Sequence, residues 1–274
     1  DNRVKIAVVG GGQLGRMLQS KAHSYGLDLA FLDPDRYAPS SSISSWFYRG
    51  SLQDEELVYD LGKNRDIITI EIENINTNAL KRLEKEGKKV FPQPHIIELI
   101  QDKGLQKQFF IDNNIATSPF YMVNGKHELN LFEDELPFMQ KMRKGGYDGK
   151  GVVAIKSATD FEKGFEEPSI LEKFIDFKKE LSVIVARNES GEIKCFPCVE
   201  QEFSAEANLV EFLFSPAIIG EQVELKATKI AEDIISKLGM VGILAVEFFL
   251  TDEDELLVNE IAPRPHNSGH QTIE

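Results

Sequence analysis

The residues best suited to chemistry lie in a glycine-rich, basic segment at 141–151, which reads KMRKGGYDGKG. Glycines adopt positive φ without strain and let main-chain N–H groups approach an anion closely. Lys141 follows an apolar-edged run and is predicted to reach phosphates from a strand as a point charge. The chain contains no Walker sequence, G-x-x-x-x-G-K-[ST], so this is a phosphate loop of another kind or the basic tip of a hairpin.

A second candidate site is a pair of carboxylates on a predicted hairpin. Strands at 241–251 and 256–261 flank an acidic turn. If Thr251 pairs with Leu256, Glu247 lies directly opposite Glu260, about 5 Å away on one face. Because both strands are otherwise apolar, the two charges repel unless one is protonated or a cation lies between them. Oxygen ligands facing phosphates favour Mg²⁺; the alternative, a glutamate on an exposed edge, fits the apolar flanks poorly.

The N-terminal part is predicted to be a doubly wound parallel sheet, because strand and helix patterns alternate through residues 1–101. Strands are expected at 4–9, 27–32, 66–72 and 89–91, with helices after the first strand and at 77–86. GGGQLG at 10–15, with Asp33 about twenty residues on, has the spacing of a dinucleotide fingerprint, so NAD binding is one interpretation. The same glycines are also typical of a loop that binds some other phosphate group, or of close packing between a strand and a helix, and nothing downstream supports a nicotinamide site.

Two further units are expected after this sheet. Helices at 96–100 and 103–113, the second capped by Asp102, lead into a β-rich unit with strands near 119–123, 137–143, 152–156 and 169–175. The larger unit has predicted strands at 180–187, 192–202 and 208–214, an amphipathic helix at 223–238 and the carboxylate hairpin. We therefore expect a Rossmann-like domain at 1–101, a linker helix with a small lid at 102–178, and a larger subdomain at 179–274.

The composition, with 42% hydrophobic and 28% charged residues, is that of an ordinary soluble protein. A formal net charge of −14 argues against a nucleic-acid-binding surface. No apolar run has the length of a membrane span and the first residues show no signal peptide, so a cytoplasmic protein with no membrane partner is expected. Cys195 and Cys198 cannot supply four zinc ligands, and their predicted strand contains Pro197, which favours reduced structural cysteines.

A hinge is predicted where the strand at 169–175 leaves the small unit. Its main-chain groups can pair with an adenine, and Glu180 in the next strand can accept hydrogen bonds from ribose hydroxyls. The alternative is a strand whose alternating glutamates mark one solvated face.

Four motifs together resemble the ATP-grasp superfamily and, within it, the 5-(carboxyamino)imidazole ribonucleotide synthases. They are GGQLGRM at 11–17, TIEIEN at 69–74, GGYDGKG at 145–151 and APRPHNSGH at 262–270. The resemblance covers the whole chain. It implies a pre-ATP-grasp parallel sheet followed by an ATP-grasp fold. It also implies carboxylation of 5-aminoimidazole ribonucleotide in purine biosynthesis, which consumes ATP and bicarbonate and releases ADP and phosphate.

The resemblance further implies the site residues. Mg²⁺ is expected at Glu247 and Glu260, and catalytic roles at Lys141, Tyr147, Arg264 and His266. The residues expected to contact ATP are Lys103, Lys141, Gly146, Tyr147, Asp148, Gly149, Lys150, Gly151, Glu172, Lys173, Phe174, Ile175, Glu180, Asn259 and Glu260. The residues expected around the ribonucleotide are Gln13, Leu14, Glu71, Glu73, Tyr147, Arg264, His266 and Asn267.

The implied chemistry begins with attack of bicarbonate on the γ-phosphate of ATP, which yields carboxyphosphate. The loop at 145–151 is expected to shield this short-lived anhydride from water until it, or CO₂ released from it, meets the exocyclic amine of the ribonucleotide. Arg264 is suited to stabilise the anionic intermediate, and His266 is suited to move a proton. The alternative for His266 is a histidine that caps a helix or stands in a turn. A homodimer is also expected.

The chain departs from the family pattern in three ways. Phe203 stands where the family has a histidine that reaches the nucleotide, and Ala262 stands where the wider superfamily has a third metal-side asparagine. The family pattern also continues past Glu274 with a segment that closes the fold and contacts the ribonucleotide phosphate. Two alternatives remain: another ATP-grasp ribonucleotide ligase or transformylase, not expected to carry HNSGH at 266–270, and a non-catalytic nucleotide-binding homologue.

Overall fold

The computed structural model describes residues 4–146, 151–203 and 210–273, and within these ranges the strands form sheets of five, four and six strands. The five-stranded sheet is wholly parallel. Its strands are β1 (Lys5–Val9), β2 (Asp28–Asp33), β3 (Trp46–Arg49), β4 (Ile67–Ile70) and β5 (Lys89–Val90). Their order is β3-β2-β1-β4-β5, so the chain winds outward in both directions from β1.

Helices cover both faces of this parallel sheet. They are α1 (Gln13–Ser24), α2 (Glu55–Gly62) and α3 (Thr77–Lys85). Ala22 of α1 packs with Phe31 on one face, whereas Leu61 of α2 and Leu80 of α3 pack with Ile68 on the other. The predicted doubly wound sheet is therefore confirmed. The sequence patterns missed β3 and α2, because β3 is a short, half-exposed edge strand and α2 spans only two turns.

The small unit is an antiparallel sheet of four strands in the order β6-β9-β7-β8. Its strands are β6 (Phe120–Val123), β7 (Phe138–Met142), β8 (Val152–Ile155) and β9 (Ser169–Lys173). Two 3₁₀ helices, Lys126–Glu135 and Ala158–Lys163, cover one face of it. Before this unit come α4 (Pro94–Gln101) and α5 (Lys103–Asp112), close to the predicted helices.

The large sheet carries the carboxylate hairpin at one edge, in the order β13-β12-β10-β14-β15 with β11 also paired to β10. Its strands are β10 (Lys179–Arg187), β11 (Ile193–Cys195), β12 (Val199–Phe203), β13 (Val210–Phe214), β14 (Gly242–Leu250) and β15 (Leu256–Ala262). The helix α6 (Glu221–Leu238) packs on one face with α4 and α5, through Ile234, Phe110 and Leu181 among others. Alternation along β10 and β14 turns Glu180, Ser182 and Glu247 to the opposite face.

Two sequence predictions for this sheet were wrong in detail. The strand predicted at 192–202 is two strands, because Pro197 lies between them and has no N–H for the ladder. The hairpin register predicted from Thr251 and Leu256 also differs, since Leu256 pairs with Leu250. A bulge between Val246 and Phe248 then shifts the register by one residue, so that Glu260 lies opposite Glu247 as predicted.

The two cysteines are free, and Cys198 is buried. Burial raises the pKa of Cys195 to about 11 and that of Cys198 to about 12, which suits structural thiols. Within the described ranges, no helix combines the length and the apolar content that crossing a membrane requires.

Candidate active site

The start of α5 places one cation of the site. Asp102 accepts hydrogen bonds from main-chain N–H groups of the first helical turn at 2.9 and 3.3 Å, which confirms the predicted N-cap. Arg143, directly after β7, holds the same carboxylate with two N–O distances of 2.8 Å. This bidentate pair fixes α5 against the small sheet. Lys103, the first residue of α5, then lies with its ammonium 3.2 Å from the carboxylate of Glu260.

Lys141 lies on β7 and forms an ion pair with Glu172 on β9. Glu172 is only 3% exposed and also pairs with Lys107 of α5. Burial acts to raise the pKa of Glu172, but the two ammonium groups outweigh it and hold this pKa below its ordinary value. The carboxylate of Glu172 is therefore committed to two lysines.

These groups line one small pocket between α5, the small sheet and the hairpin. The residues around it are Lys103, Gln106, Lys107, Lys141, Ile170, Glu172, Asn259 and Glu260. The cationic side is formed by α5 and β7, and the carboxylate side by β15. A polyanion with a bound cation is the ligand that such a charge distribution suits.

Glu247 and Glu260 meet at the bulge of the hairpin. Because the register shifts there, Asn259 and Glu260 together lie opposite Glu247. Burial first, then the charges of Glu260 and Glu180, raise the pKa of Glu247 from 4.5 to about 8. Lys103 has the opposite effect on Glu260, whose pKa falls to about 2 against the effect of burial. In this pair the charge of Glu260 is balanced by Lys103, whereas Glu247, among the residues that the structure describes, has no such lysine beside it.

The donor set of this pair fits Mg²⁺. In the described parts of the chain, no three His, Cys, Asp or Glu side chains converge as a metal cluster. Two carboxylates suffice for Mg²⁺, which commonly takes its other ligands from phosphates and water. Oδ1 of Asn259 is buried and, among the described residues, has no hydrogen-bond partner, so a third oxygen is available beside the pair.

His266 lies beside Glu247, with Nε2 of the ring 3.4 Å from the carboxylate. Nδ1 accepts a hydrogen bond from the main-chain N–H of Ser268 at 3.3 Å and lies 2.9 Å from its hydroxyl. Since Nδ1 is an acceptor, the ring proton of the neutral imidazole is on Nε2, facing Glu247. The hydroxyl of Ser268 is in turn 2.7 Å from that of Ser182, and both serines are fully buried. Burial, followed by the nearby Arg264, lowers the pKa of His266 to about 4.

Arg264 connects the hairpin to the N-terminal sheet through an ion pair of 2.7 Å with Glu73. Glu71, two residues earlier, accepts a hydrogen bond of 3.2 Å from the N–H of Gly12, and burial raises its pKa. The N–H of Gly11 is likewise taken by Asp33 at 2.9 Å. The glycine-loop donors that a pyrophosphate would need are thus directed at carboxylates, which argues against the NAD interpretation.

The other predicted contacts lie around this centre. Gln13 is exposed and Leu14 half-buried at the start of α1, while Asn267 is exposed at the start of a 3₁₀ helix (Asn267–Thr272). Lys173 ends β9, with Phe174 and Ile175 directly after it, and Glu180 is on β10. Burial raises the pKa of Glu180 to about 7, against the charge of Lys141.

The glycine-rich loop is described only at its two ends. Gly145 and Gly151 both have positive φ, at 79° and 77°, which is the conformation for which glycine was expected here. The N–H of Met142 donates to the carbonyl of Gly151 at 2.8 Å and closes the β7–β8 hairpin. Gly146 lies within the described part. Tyr147, Asp148, Gly149 and Lys150 lie outside the described residues.

Sequence reasoning missed three polar residues of the site. Lys107 is buried against Glu172, and Gln201 is 5% exposed with its amide nitrogen 3.5 Å from Glu247. Ser182 pairs in register with Glu247 and supports Ser268. A polar residue inside the apolar run of β10 was the available signal for the serine, because a buried polar group needs a partner. The strand β12 reads VEQEF, so no such signal set Gln201 apart.

Comparison with known proteins agrees with this architecture. A model of the ribonucleotide synthetase preATP-grasp domain matches residues 3–101, and a model of the ATP-grasp domain matches residues 108–274. The fold and the site thus define an ATP-grasp protein with a preATP-grasp domain, as the sequence predicted.

Individual relatives identify the family within the ATP-grasp proteins to which the chain belongs. An N5-carboxyaminoimidazole ribonucleotide synthase of Bacillus subtilis is 37% identical over 276 residues, which cover 98% of this chain and 72% of the relative. The N5-carboxyaminoimidazole synthase of Aspergillus clavatus, solved with ADP and 5-aminoimidazole ribonucleotide, superposes with a TM-score of 0.89 at 31% identity, covering 99% of this chain and 73% of that one. The chain belongs to the N5-carboxyaminoimidazole ribonucleotide synthase family.

Some relatives are much longer than this chain. A phosphoribosylaminoimidazole carboxylase of Candida glabrata is 39% identical over 278 residues, which cover 98% of the chain and 48% of the relative. The chain thus spans about half the length of such curated relatives.

Proposed function

We propose that this chain supplies the ATP-binding and carboxylating part of an enzyme that converts 5-aminoimidazole ribonucleotide to its N5-carboxy derivative. Bicarbonate and ATP are consumed, and ADP and phosphate are released. The observation that carries the proposal is the convergence of Lys103, Lys141 and Glu260 on one pocket, with Glu247 opposite Glu260 at the hairpin bulge. The Aspergillus relative solved with ADP and the aminoimidazole ribonucleotide supports the choice of ligands.

ATP is proposed to lie between the small and the large sheet. Its phosphates would meet Lys103 and Lys141, and the loop at 146–151 would close over them. Its adenine would reach main-chain groups at 172–175, where β9 ends. Its ribose hydroxyls would donate to Glu180. Lysines from two separate elements are well placed to hold a polyphosphate as point charges.

Mg²⁺ would be held by Glu247 and Glu260, with Asn259 adjacent. When bound, it would neutralise negative charge on the phosphates of ATP. This assignment accounts for the otherwise unfavourable placement of two carboxylates at one bulge.

Phosphoryl transfer is proposed as the first step. A bicarbonate oxygen attacks the γ-phosphorus and ADP leaves with the bridging oxygen, which gives carboxyphosphate and ADP. Lys141 stabilises the charge that develops on the γ-phosphoryl oxygens. The loop at 145–151 is proposed to shield the anhydride from water, which would otherwise hydrolyse it.

Carboxyl transfer is proposed as the second step. The exocyclic amine of the ribonucleotide forms the new C–N bond, the C–O bond of carboxyphosphate breaks, and phosphate leaves. Arg264, held by Glu73 at the border of the N-terminal sheet, stabilises the anionic carboxyl group. His266 is neutral near pH 7 because of its low pKa, and its Nε2 proton faces Glu247. The amine proton is proposed to leave with the phosphate, which becomes more basic as the C–O bond breaks. Tyr147 and the predicted contacts at Gln13, Leu14, Glu71 and Asn267 complete the proposed acceptor side.

Phosphate release from Mg²⁺-ATP tests this proposal, measured with and without bicarbonate and the ribonucleotide. We expect full rate only with both, and one carboxylated ribonucleotide formed for each phosphate released. ATP hydrolysis that is indifferent to bicarbonate would contradict the assignment. A homodimer and a cytoplasmic location stay predictions, and light scattering of the purified protein tests the first of them.

A further inference from the structure

Lys107 is a buried lysine with no place in the chemistry described so far. It lies one helical turn after Lys103 on α5, with 3% of its surface exposed. Its ammonium forms an ion pair with Glu172 and donates to Oγ1 of Thr117 at 2.6 Å. Lysines are almost never fully buried unless they are paired, so this contact requires an explanation.

The partner of Lys107 is shared with a residue that is needed elsewhere. Glu172 also binds Lys141, whose side chain is 19% exposed while that of Glu172 is 3% exposed. Lys141 is proposed to bind the phosphates of ATP, and to do so it must weaken or leave its contact with Glu172. A buried carboxylate that loses its counter-ion is strongly destabilised. Without a second cation, Glu172 would therefore oppose nucleotide binding.

We propose that Lys107 is a positioning residue that stays on Glu172 as its permanent counter-ion and thereby frees Lys141 for the nucleotide phosphates. The inference rests on the proposed function, because it assumes that Lys141 binds ATP. Lys107 borders the pocket, but its ammonium is taken by Glu172 and Thr117, so its proposed effect on the nucleotide is through Glu172.

The surroundings of Lys107 keep it in place when Lys141 moves. Thr117, which accepts from Lys107, donates its own hydroxyl hydrogen to the carbonyl of Val258 on β15 at 2.6 Å. The N–H of Val258 in turn donates to the carbonyl of Ala116 at 2.8 Å. Lys107 is thus anchored to the large sheet, whereas Lys141 is on the small sheet. The two lysines approach Glu172 from different units of the protein.

The test compares wild type, Lys107→Met and the double variant with Glu172→Gln, with binding of Mg²⁺ and AMP-PNP measured by calorimetry. Lys107→Met leaves Glu172 paired with Lys141 alone, so affinity should fall about tenfold or more. Adding Glu172→Gln removes the carboxylate that holds Lys141 back, and the double variant should bind within about threefold of wild type. Lys126→Met is the matched control, because Lys126 contacts two carboxylates on the surface of the small unit. The affinity of this variant for AMP-PNP should match that of wild type.

Three outcomes would overturn the inference. A further variant, Thr117→Val, keeps both charges but loosens the anchor of Lys107, so it should weaken binding by a smaller factor. Equal affinity of wild type and Lys107→Met, or a double variant as weak as the single one, contradicts the inference. Wild-type affinity in Thr117→Val likewise contradicts it. Failure of wild type itself to bind AMP-PNP would instead refute the proposed function.

Discussion

Replacing Glu247 by Gln should remove a pH-dependent penalty from the metal-free protein. The side chain of Glu247 is 14% exposed, and its pKa is raised from 4.5 to about 8 by burial and by two neighbouring carboxylates. The unfolded chain releases this proton near the ordinary pKa, whereas the folded protein keeps it until about pH 8. Wild type is therefore expected to lose stability as the pH rises through this window, and the glutamine variant is not.

The magnitude follows from the size of the shift. A pH of 7 lies about 2.5 units above the ordinary pKa of 4.5, and at about 1.4 kcal/mol per unit the ceiling is about 3.5 kcal/mol. Partial exposure and the nearby amide of Gln201 reduce this value. We expect Glu247→Gln to be about 1–2 kcal/mol more stable than wild type at pH 7, as is found when buried charges are replaced by neutral groups.

Urea unfolding in EDTA, at about pH 5 and about pH 8, measures this difference. The two proteins should be nearly equal at the lower pH and should diverge at the higher one. Glu253→Gln, the same change in the exposed turn of the same hairpin, is the control and should follow wild type. Mg²⁺ with AMP-PNP should stabilise wild type but not Glu247→Gln. A variant that is less stable than wild type at pH 7, or that shows the same pH dependence, would refute the reasoning.

Three further predictions concern the two halves of the site. Lys141→Met should weaken ATP binding about tenfold to a hundredfold, which is the contribution of one charge-assisted contact. His266→Ala should leave ATP binding intact and should lower the ratio of carboxylated ribonucleotide to phosphate released. Equal loss of ATP affinity in both variants would show that this division of the site is wrong. The loop at 10–15 should show no calorimetric affinity for NAD or NADP, because its donors face Asp33 and Glu71, and micromolar binding would reverse that interpretation. Ser268→Ala keeps the main-chain N–H that donates to Nδ1 of His266, so nitrogen NMR shifts should still show the ring proton on Nε2, and a proton found on Nδ1 would contradict that assignment.

The parts of the fold that could be predicted are those encoded locally. Apolar runs and helical periodicity identified β1, β2 and β4, because each signal is complete within a few residues. The edge strand β3 was missed, since a strand half open to solvent carries no clear alternation. The bulge at Glu247 also could not be predicted, because it depends on how two strands pack and not on either one alone.

The site was predictable to the extent that its residues belong to short motifs. Lys141 and Arg264 each stand in a distinctive segment, and the structure brings both to the centre described above. Lys107 and Ser182 stand in ordinary helix and strand sequences. Their significance comes from partners far along the chain, Glu172 and Ser268, which only the folded structure brings together.

The central claim is that bicarbonate oxygen attacks the γ-phosphate of ATP, and an isotope measurement tests it most directly. The protein is incubated with Mg²⁺-ATP, 5-aminoimidazole ribonucleotide and bicarbonate labelled with oxygen-18, and the released phosphate is analysed by mass spectrometry. If carboxyphosphate forms, its bridging oxygen comes from bicarbonate and leaves with the phosphate, so each phosphate should carry one labelled oxygen. Product formation with unlabelled phosphate would contradict the account.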